Sequence, residues 1–128
     1  MEIKEGIFYT ESHEWVKVED NTAYIGITDF AQDALGEIVF VELPMEGEEF
    51  AQKEAIGVIE SVKAVSDLYV PVGGEILESN EDLYDAPEEL NNAPYESWMI
   101  AVDLADESQL DDLMSAEEYE NFCKEEEE

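Results

Sequence analysis

Between Ala55 and Val72 two short apolar runs flank a polar break, a pattern that commits this part of the chain to a hairpin. Ala55-Ile56-Gly57-Val58-Ile59 is rich in β-branched residues, and Leu68-Tyr69-Val70-Pro71-Val72 answers it downstream. Pro71 has no N–H to give a sheet ladder, so the second run is predicted to be an edge strand or to end there, closed by Gly73-Gly74. Ser61, Ser66 and Asp67 supply turn chemistry between the runs. Lys63 is thereby placed at or beside the hairpin tip, where another protein can reach its amine.

The remaining chain repeats the theme of short strands and turns. Trp15 to Glu19 alternates apolar with polar residues, Asp20-Asn21 makes a turn, and Thr22 to Ile27 returns as the partner strand. Thr28 is set as the N-cap of a helix over Asp29 to Leu35, stopped by Gly36, that offers Phe30, Ala31, Ala34 and Leu35 to the core. Glu37 to Leu43 reads as a strand, with Ile38, Phe40 and Glu42 on one face and Val39, Val41 and Leu43 on the other. Glu75 to Asn80 and Trp98 to Leu104 are further strands. The segment between them, with Pro87 and Pro94, reads as a loop with one helical turn over Pro87 to Leu90. Ser108 and Ser115 each precede an acid three residues on, which predicts two successive helix starts. Two apolar patches follow there, Leu110, Leu113 and Met114, then Tyr119, Phe122 and Cys123. The expectation is one mainly β domain over residues 1–128, a small sandwich or flattened barrel with a short internal helix and C-terminal helices. Its core spans about 7–123, and 124–128 form a frayed acidic tail.

Charge narrows the partners. Five lysines and no arginine stand against 36 acids, for a formal net charge of −31. Phosphates are repelled by such a surface, which excludes ordinary binding to nucleic acid or anionic lipid and favours basic protein partners. General solubility or a saline setting accounts for the charge equally well. The hydrophobic share of 45% is too high for disorder. No apolar stretch is long enough to cross a bilayer, and the charged start Met1-Glu2-Ile3-Lys4-Glu5 is unlike a signal peptide, so a cytoplasmic protein is expected. One cysteine, Cys123, and one histidine, His13, leave no internal disulfide and no zinc site of the usual ligand set.

Catalytic patterns are lacking. His13 has Ser12 as its neighbour, but adjacent residues of an extended segment point to opposite faces, so the two are not expected to meet as base and nucleophile. No Gly-x-Ser-x-Gly elbow and no phosphate-binding glycine loop occurs. His13 is read as structural or hydrogen-bonding. Ser12 and Glu14 share a parity that His13 lacks, so both can face one cleft.

Glu60-Ser61-Val62-Lys63-Ala64, set between two β runs with Gly74 downstream, resembles the modification site of lipoyl carriers; a biotin carrier would flank its lysine with methionines. Three further motifs are similar to the glycine cleavage system H-protein family: Tyr9-Thr10-Glu11-Ser12-His13-Glu14-Trp15-Val16, Ile25 to Gln32, and Leu35 to Pro44. The pairs Pro94-Tyr95 and Trp98-Met99 fit as well, and the likeness covers roughly residues 7 to 123. It implies a lipoyl-domain-like barrel-sandwich hybrid that is a non-catalytic carrier and a monomer. Lipoate would be amide-linked to Lys63 as N6-lipoyl-lysine, with Glu60 and Gly74 serving ligase recognition or hairpin geometry. The arm would shuttle the aminomethyl group of glycine, and Ser12, Glu14 and Asp67 would hold its charged amine. Implied partners are the pyridoxal-phosphate-dependent glycine decarboxylase (P protein), the tetrahydrofolate-dependent aminomethyltransferase (T protein), dihydrolipoyl dehydrogenase (L protein), and a lipoate ligase or lipoyl/octanoyl transferase. Two departures are local: Gly73 replaces a common serine, and Tyr95-Glu96-Ser97 lacks a glycine and is one residue short. A lipoate relay to 2-oxoacid dehydrogenase subunits and an unmodified acidic binding module stay open as alternatives. Transfer assays with each acceptor separate the first, and intact mass after co-expression with a ligase separates the second.

Overall fold

In the computed structural model, which describes residues 2–127 without the side chain of Glu127, the chain opens with an antiparallel meander. It consists of β1 (Phe8–Tyr9), β2 (Glu14–Glu19) and β3 (Thr22–Ile27), with Asp20 at φ 55° turning between the last two. Thr28 caps α1 (Asp29–Leu35) by accepting the Ala31 N–H, and Gly36 at φ 80° ends it, as the sequence predicts. After β4 (Ile38–Glu42) and the short β5 (Glu49–Phe50), β6 (Ala55–Ser61) and β7 (Val65–Tyr69) form the expected hairpin. Then come β8 (Gly74–Ser79), α2 (Asp82–Asp85), α3 (Glu89–Asn92), β9 (Ile100–Leu104), a 3-10 turn over Glu107–Asp112 and α4 (Ala116–Glu127).

The strands make two antiparallel sheets, ordered β1-β2-β3-β9-β8-β5 and β4-β6-β7, and neither closes into a barrel. Alternation along β2 divides the interior. Val16 joins Ile25, Ile76 and Val102 against Val41, Ile59 and Leu68 of the smaller sheet. Trp15, one residue back, faces the other way into a second cluster with Tyr9, Tyr119 and Cys123 beneath α4. Each buried side chain of the Ile or Leu kind contributes roughly 1.5–3 kcal/mol, so the sandwich is held by the first cluster and α4 by the second. In the second, Tyr9 and Tyr119 stack at 4.5 Å, and the Trp15 indole N–H donates to the Pro94 carbonyl at 3.0 Å.

Several local expectations are corrected. A bulge between Ile38 and Phe40 breaks the alternation of β4, so Ile38, Val41 and Leu43 point inward while Val39 and Phe40 face solvent. Ala34 of α1 is exposed. Ser66 and Asp67 belong to β7 rather than to the turn. The segment between β8 and β9 holds two helical turns instead of one. Asp106, and not Ser108, caps the 3-10 turn, because its carboxylate accepts both the N–H and the hydroxyl of Ser108. Ser115 behaves as predicted, exchanging hydrogen bonds with Glu118 at the start of α4. Leu110 and Leu113 pack on the first cluster, whereas Met114 goes to the second. Of the tail expected to fray, 124–127 continue α4, and Glu128 lies outside the described residues.

Candidate functional site

Lys63 stands in the three-residue turn between β6 and β7, at the exposed tip. Ser61 organises that turn: its N–H donates to the Ala64 carbonyl at 2.8 Å, and its hydroxyl oxygen accepts the Ala64 N–H at 3.0 Å. The Val62 N–H donates to the Glu37 carbonyl at 3.0 Å and ties the tip to the chain just beyond α1. The Lys63 stem crosses Gly36, where a Cβ would meet its Cε at 3.2 Å. Among the described residues no carboxylate forms an ion pair with the Lys63 amine. Its surroundings are apolar, for Val62 and Val65 are 65% and 67% exposed and Val39 and Phe40 lie open nearby. Glu60 pairs with Phe40 on one side and Val65 on the other, which puts its carboxylate on the outer face of the sheet. Gly74 has no part in this hairpin. It lies in β8 of the larger sheet, where a Cβ would collide with the Asp103 carbonyl, so its smallness serves sheet packing.

A cleft of about 470 Å³ opens where the two sheets part. Thr10, Ser12 and Glu14 form one wall, Tyr69, Val70 and Pro71 another, and Leu113 and Met114 a third. Glu14 lies on the same face of β2 as Val16 and is only 2% exposed. Its Oε1 accepts the hydroxyls of Ser12 and Thr10, each at 2.6 Å. Burial raises its carboxyl pKa above the ordinary glutamate value, opposed by hydrogen bonds from Ser12, Thr10 and the Tyr69 backbone N–H. Its hydrogen-bond partners are neutral donors, and although Lys53 also lines the cleft, among the described residues no cation forms an ion pair with Glu14. A buried carboxylate at the wall of an open cleft can take an ammonium group as a charge-assisted donor.

The structure therefore brings Ser12 and Glu14 together and sets Asp67 apart. Asp67 lies on the outer face of β7, opposite Val58, and borders a neighbouring groove with Glu42 and Met45. It approaches the cleft only through the Tyr69 hydroxyl, which donates to its Oδ2 at 3.5 Å. Ser12 lines the cleft beside Glu14, but not through strand parity, since Thr10 to His13 is a turn and His13 has φ 67°. Thr10 escaped notice although it continues the Thr10, Ser12, Glu14 alternation. The Tyr69 N–H, a backbone group, carries no sequence signal. His13 is hydrogen-bonding, as expected, with Tyr119 at Nδ1 and Glu126 at Nε2.

Two open antiparallel sheets that display one lysine on a hairpin tip define a small mainly β domain of the lipoyl-domain kind. The chain belongs to the glycine cleavage H-protein family, whose model matches residues 7–126. Curated relatives bear the same name. The glycine cleavage system H protein of Halothermothrix orenii is 55% identical over 126 residues, covering 98% of each chain. That of Alkaliphilus oremlandii is 58% identical over 121 residues, covering 94% of this chain and 95% of its own. The crystal structure of a glycine cleavage system H protein from Mycobacterium marinum superposes with a TM-score of 0.89 at 35% identity, over 95% of this chain and 99% of that one.

Proposed function

We propose that Lys63 carries lipoate in amide linkage and that the chain shuttles the aminomethyl group of glycine from the P-protein decarboxylase to the T-protein aminomethyltransferase, with the L protein restoring the arm. One observation carries this reading: an exposed hairpin lysine and a cleft walled by a buried carboxylate that forms no ion pair among the described residues occur on one small domain. The residues at the tip fit an amide-linked group, because the Lys63 amine is accessible and its stem is seated on Gly36. When bound, lipoate would supply a dithiolane able to take up and release a one-carbon unit. The chain supplies presentation and shelter. Ser61 shapes the turn that displays the lysine, and Glu14, aligned by Ser12 and Thr10, offers a charge-assisted acceptor to a cationic amine in a partly dry site. The exposed Val39, Phe40, Val62 and Val65 around the tip, with acids beyond them, suit partners whose docking surfaces are apolar and rimmed with basic residues.

The test is intact mass after co-expression with a lipoate ligase. The native chain should gain one lipoyl group and Lys63→Arg none. An unmodified native chain, or a modified Lys63→Arg, would refute the assignment.

A further inference from the structure

The turn Thr10 to Glu14 lies between two environments. Ser12 and Glu14 face the cleft, while His13 points the opposite way, toward α4. His13 is held at φ 67°, a left-handed conformation uncommon for residues that carry a side chain, and its surroundings fasten it there. The imidazole stacks on Phe30 of α1 at 4.3 Å, and its backbone carbonyl accepts the Thr28 N–H at 3.1 Å.

The ring nitrogens end a chain of hydrogen bonds whose direction can be worked out. Glu126, as a carboxylate, only accepts, so the His13 Nε2 at 2.8 Å must carry the hydrogen. In the neutral imidazole Nδ1 then accepts, and the Tyr119 hydroxyl at 2.7 Å donates to it. The Tyr119 oxygen in turn accepts the Thr28 hydroxyl at 2.7 Å, and the Thr28 oxygen accepts the Ala31 N–H at 3.2 Å. The series runs from the N-cap of α1 through α4 to the turn, and Cys123 of α4 also bonds the Tyr119 hydroxyl. The stretch leading into α4 is fastened to the cleft as well: Met114, a cleft residue, exchanges backbone hydrogen bonds with Tyr9 at 2.9 and 2.8 Å.

We propose that His13 is a positioning residue for the cleft, and that α4, acting through Tyr119 and Glu126, sets how firmly Ser12 and Glu14 hold a cationic group carried on Lys63. The proposal rests on the cleft reading above and adds a control element on the far side of the turn. His13 never touches the carried group; it fixes the backbone from which Ser12 and Glu14 extend.

Two measurements test it. In the unmodified protein, hydrogen exchange by NMR follows the amides of Thr10 and Glu14, which bond the Glu14 carbonyl and the Thr10 hydroxyl at 3.0 Å. Tyr119→Phe and His13→Ala should speed their exchange by about tenfold or more, while Ile25 and Val102 in the sheet keep native rates. His13→Asn, which tolerates the left-handed backbone and retains an acceptor for Tyr119, should recover most of the protection. In the aminomethylated protein without transferase, Tyr119→Phe should release ammonia several-fold faster, yet add nothing when combined with Glu14→Ala, because the two act through one group. Unchanged exchange in Tyr119→Phe, or effects that multiply with Glu14→Ala, would overturn the positioning role alone. Altered exchange with native ammonia release in Glu14→Ala itself would overturn the cleft reading, and the role of α4 toward the arm with it.

Discussion

The Val62–Ala64 turn is fastened by Ser61 and by the Glu37 carbonyl just beyond α1, whereas the Thr10–Glu14 turn adds to its own backbone bonds side chains of α1 and α4 that lie far away in sequence. The first keeps its central side chain in solvent among exposed valines, and the second sinks a carboxylate to 2% exposure. Display requires a tip that other proteins can grip, so little can pack on it. Shelter requires a dry, oriented acceptor, so much must pack behind it. A substitution should therefore act on one function and spare the other, according to which turn it loosens.

The largest effect is expected behind the sheltered turn. Trp15→Ala removes a buried indole and its bond to Pro94, and should cost about 3–5 kcal/mol of stability by urea denaturation. An unmoved midpoint would mean that the aromatic layer does not support the fold. Glu14→Ala comes next. Losing a charge-assisted hydrogen bond of about 1.5–3 kcal/mol should release ammonia from the aminomethylated carrier roughly ten- to a hundredfold faster, with Lys63 lipoylation unaltered. Equal decay in both proteins would remove Glu14 from the site.

The pH dependence sharpens the contrast. Burial raises the Glu14 pKa in the folded state, so between the unfolded and folded values the native chain binds the extra proton. Stability from this group is then complete below the unfolded pKa and is lost as pH rises through the folded one. Glu14→Gln should gain on the native protein over that window in denaturation midpoints measured from pH 4 to 7. A constant difference between the two would show that Glu14 titrates as an ordinary surface carboxylate. The smallest effect belongs to the tip, where Glu60→Ala should slow ligation by no more than about fivefold, the worth of one exposed charge, and leave the midpoint in place. Identical ligation kinetics would deny Glu60 any recognition role.

How much of this was legible depended on whether the signal was local. The hairpin around Lys63, the Thr28 cap and the Ser115 capping box are written in residues a few positions apart, and all are found in place. The bulge at Val39 was not legible, because Glu37 to Leu43 alternates as a regular strand would and only pairing with β6 reveals the extra residue. Asp106 displaced Ser108 as a cap through a carboxylate two residues upstream of the expected start. Ser12 and Glu14 could be paired by parity, but Asp67 entered through family likeness alone, and β7 turns it to the outer face. The partners of His13 lie 106 and 113 positions away, beyond any periodicity.

The strand β7 links the two turns, since Val65 follows the tip directly and Tyr69 at its far end borders the cleft. Four steps of extended chain carry the strand ~13 Å from one turn toward the other. A passenger on the arm proposed for Lys63 would meet Glu14 as part of its own molecule, at an effective concentration in the millimolar range. A pocket whose affinity for the same amine free in solution is only millimolar would then be about half occupied by the tethered one. Such weak intrinsic affinity keeps the exit fast when a partner docks, and leaves stray amines at micromolar levels unable to compete. On the proposed reading, the spacing along one strand would reserve the cleft for the chain's own cargo.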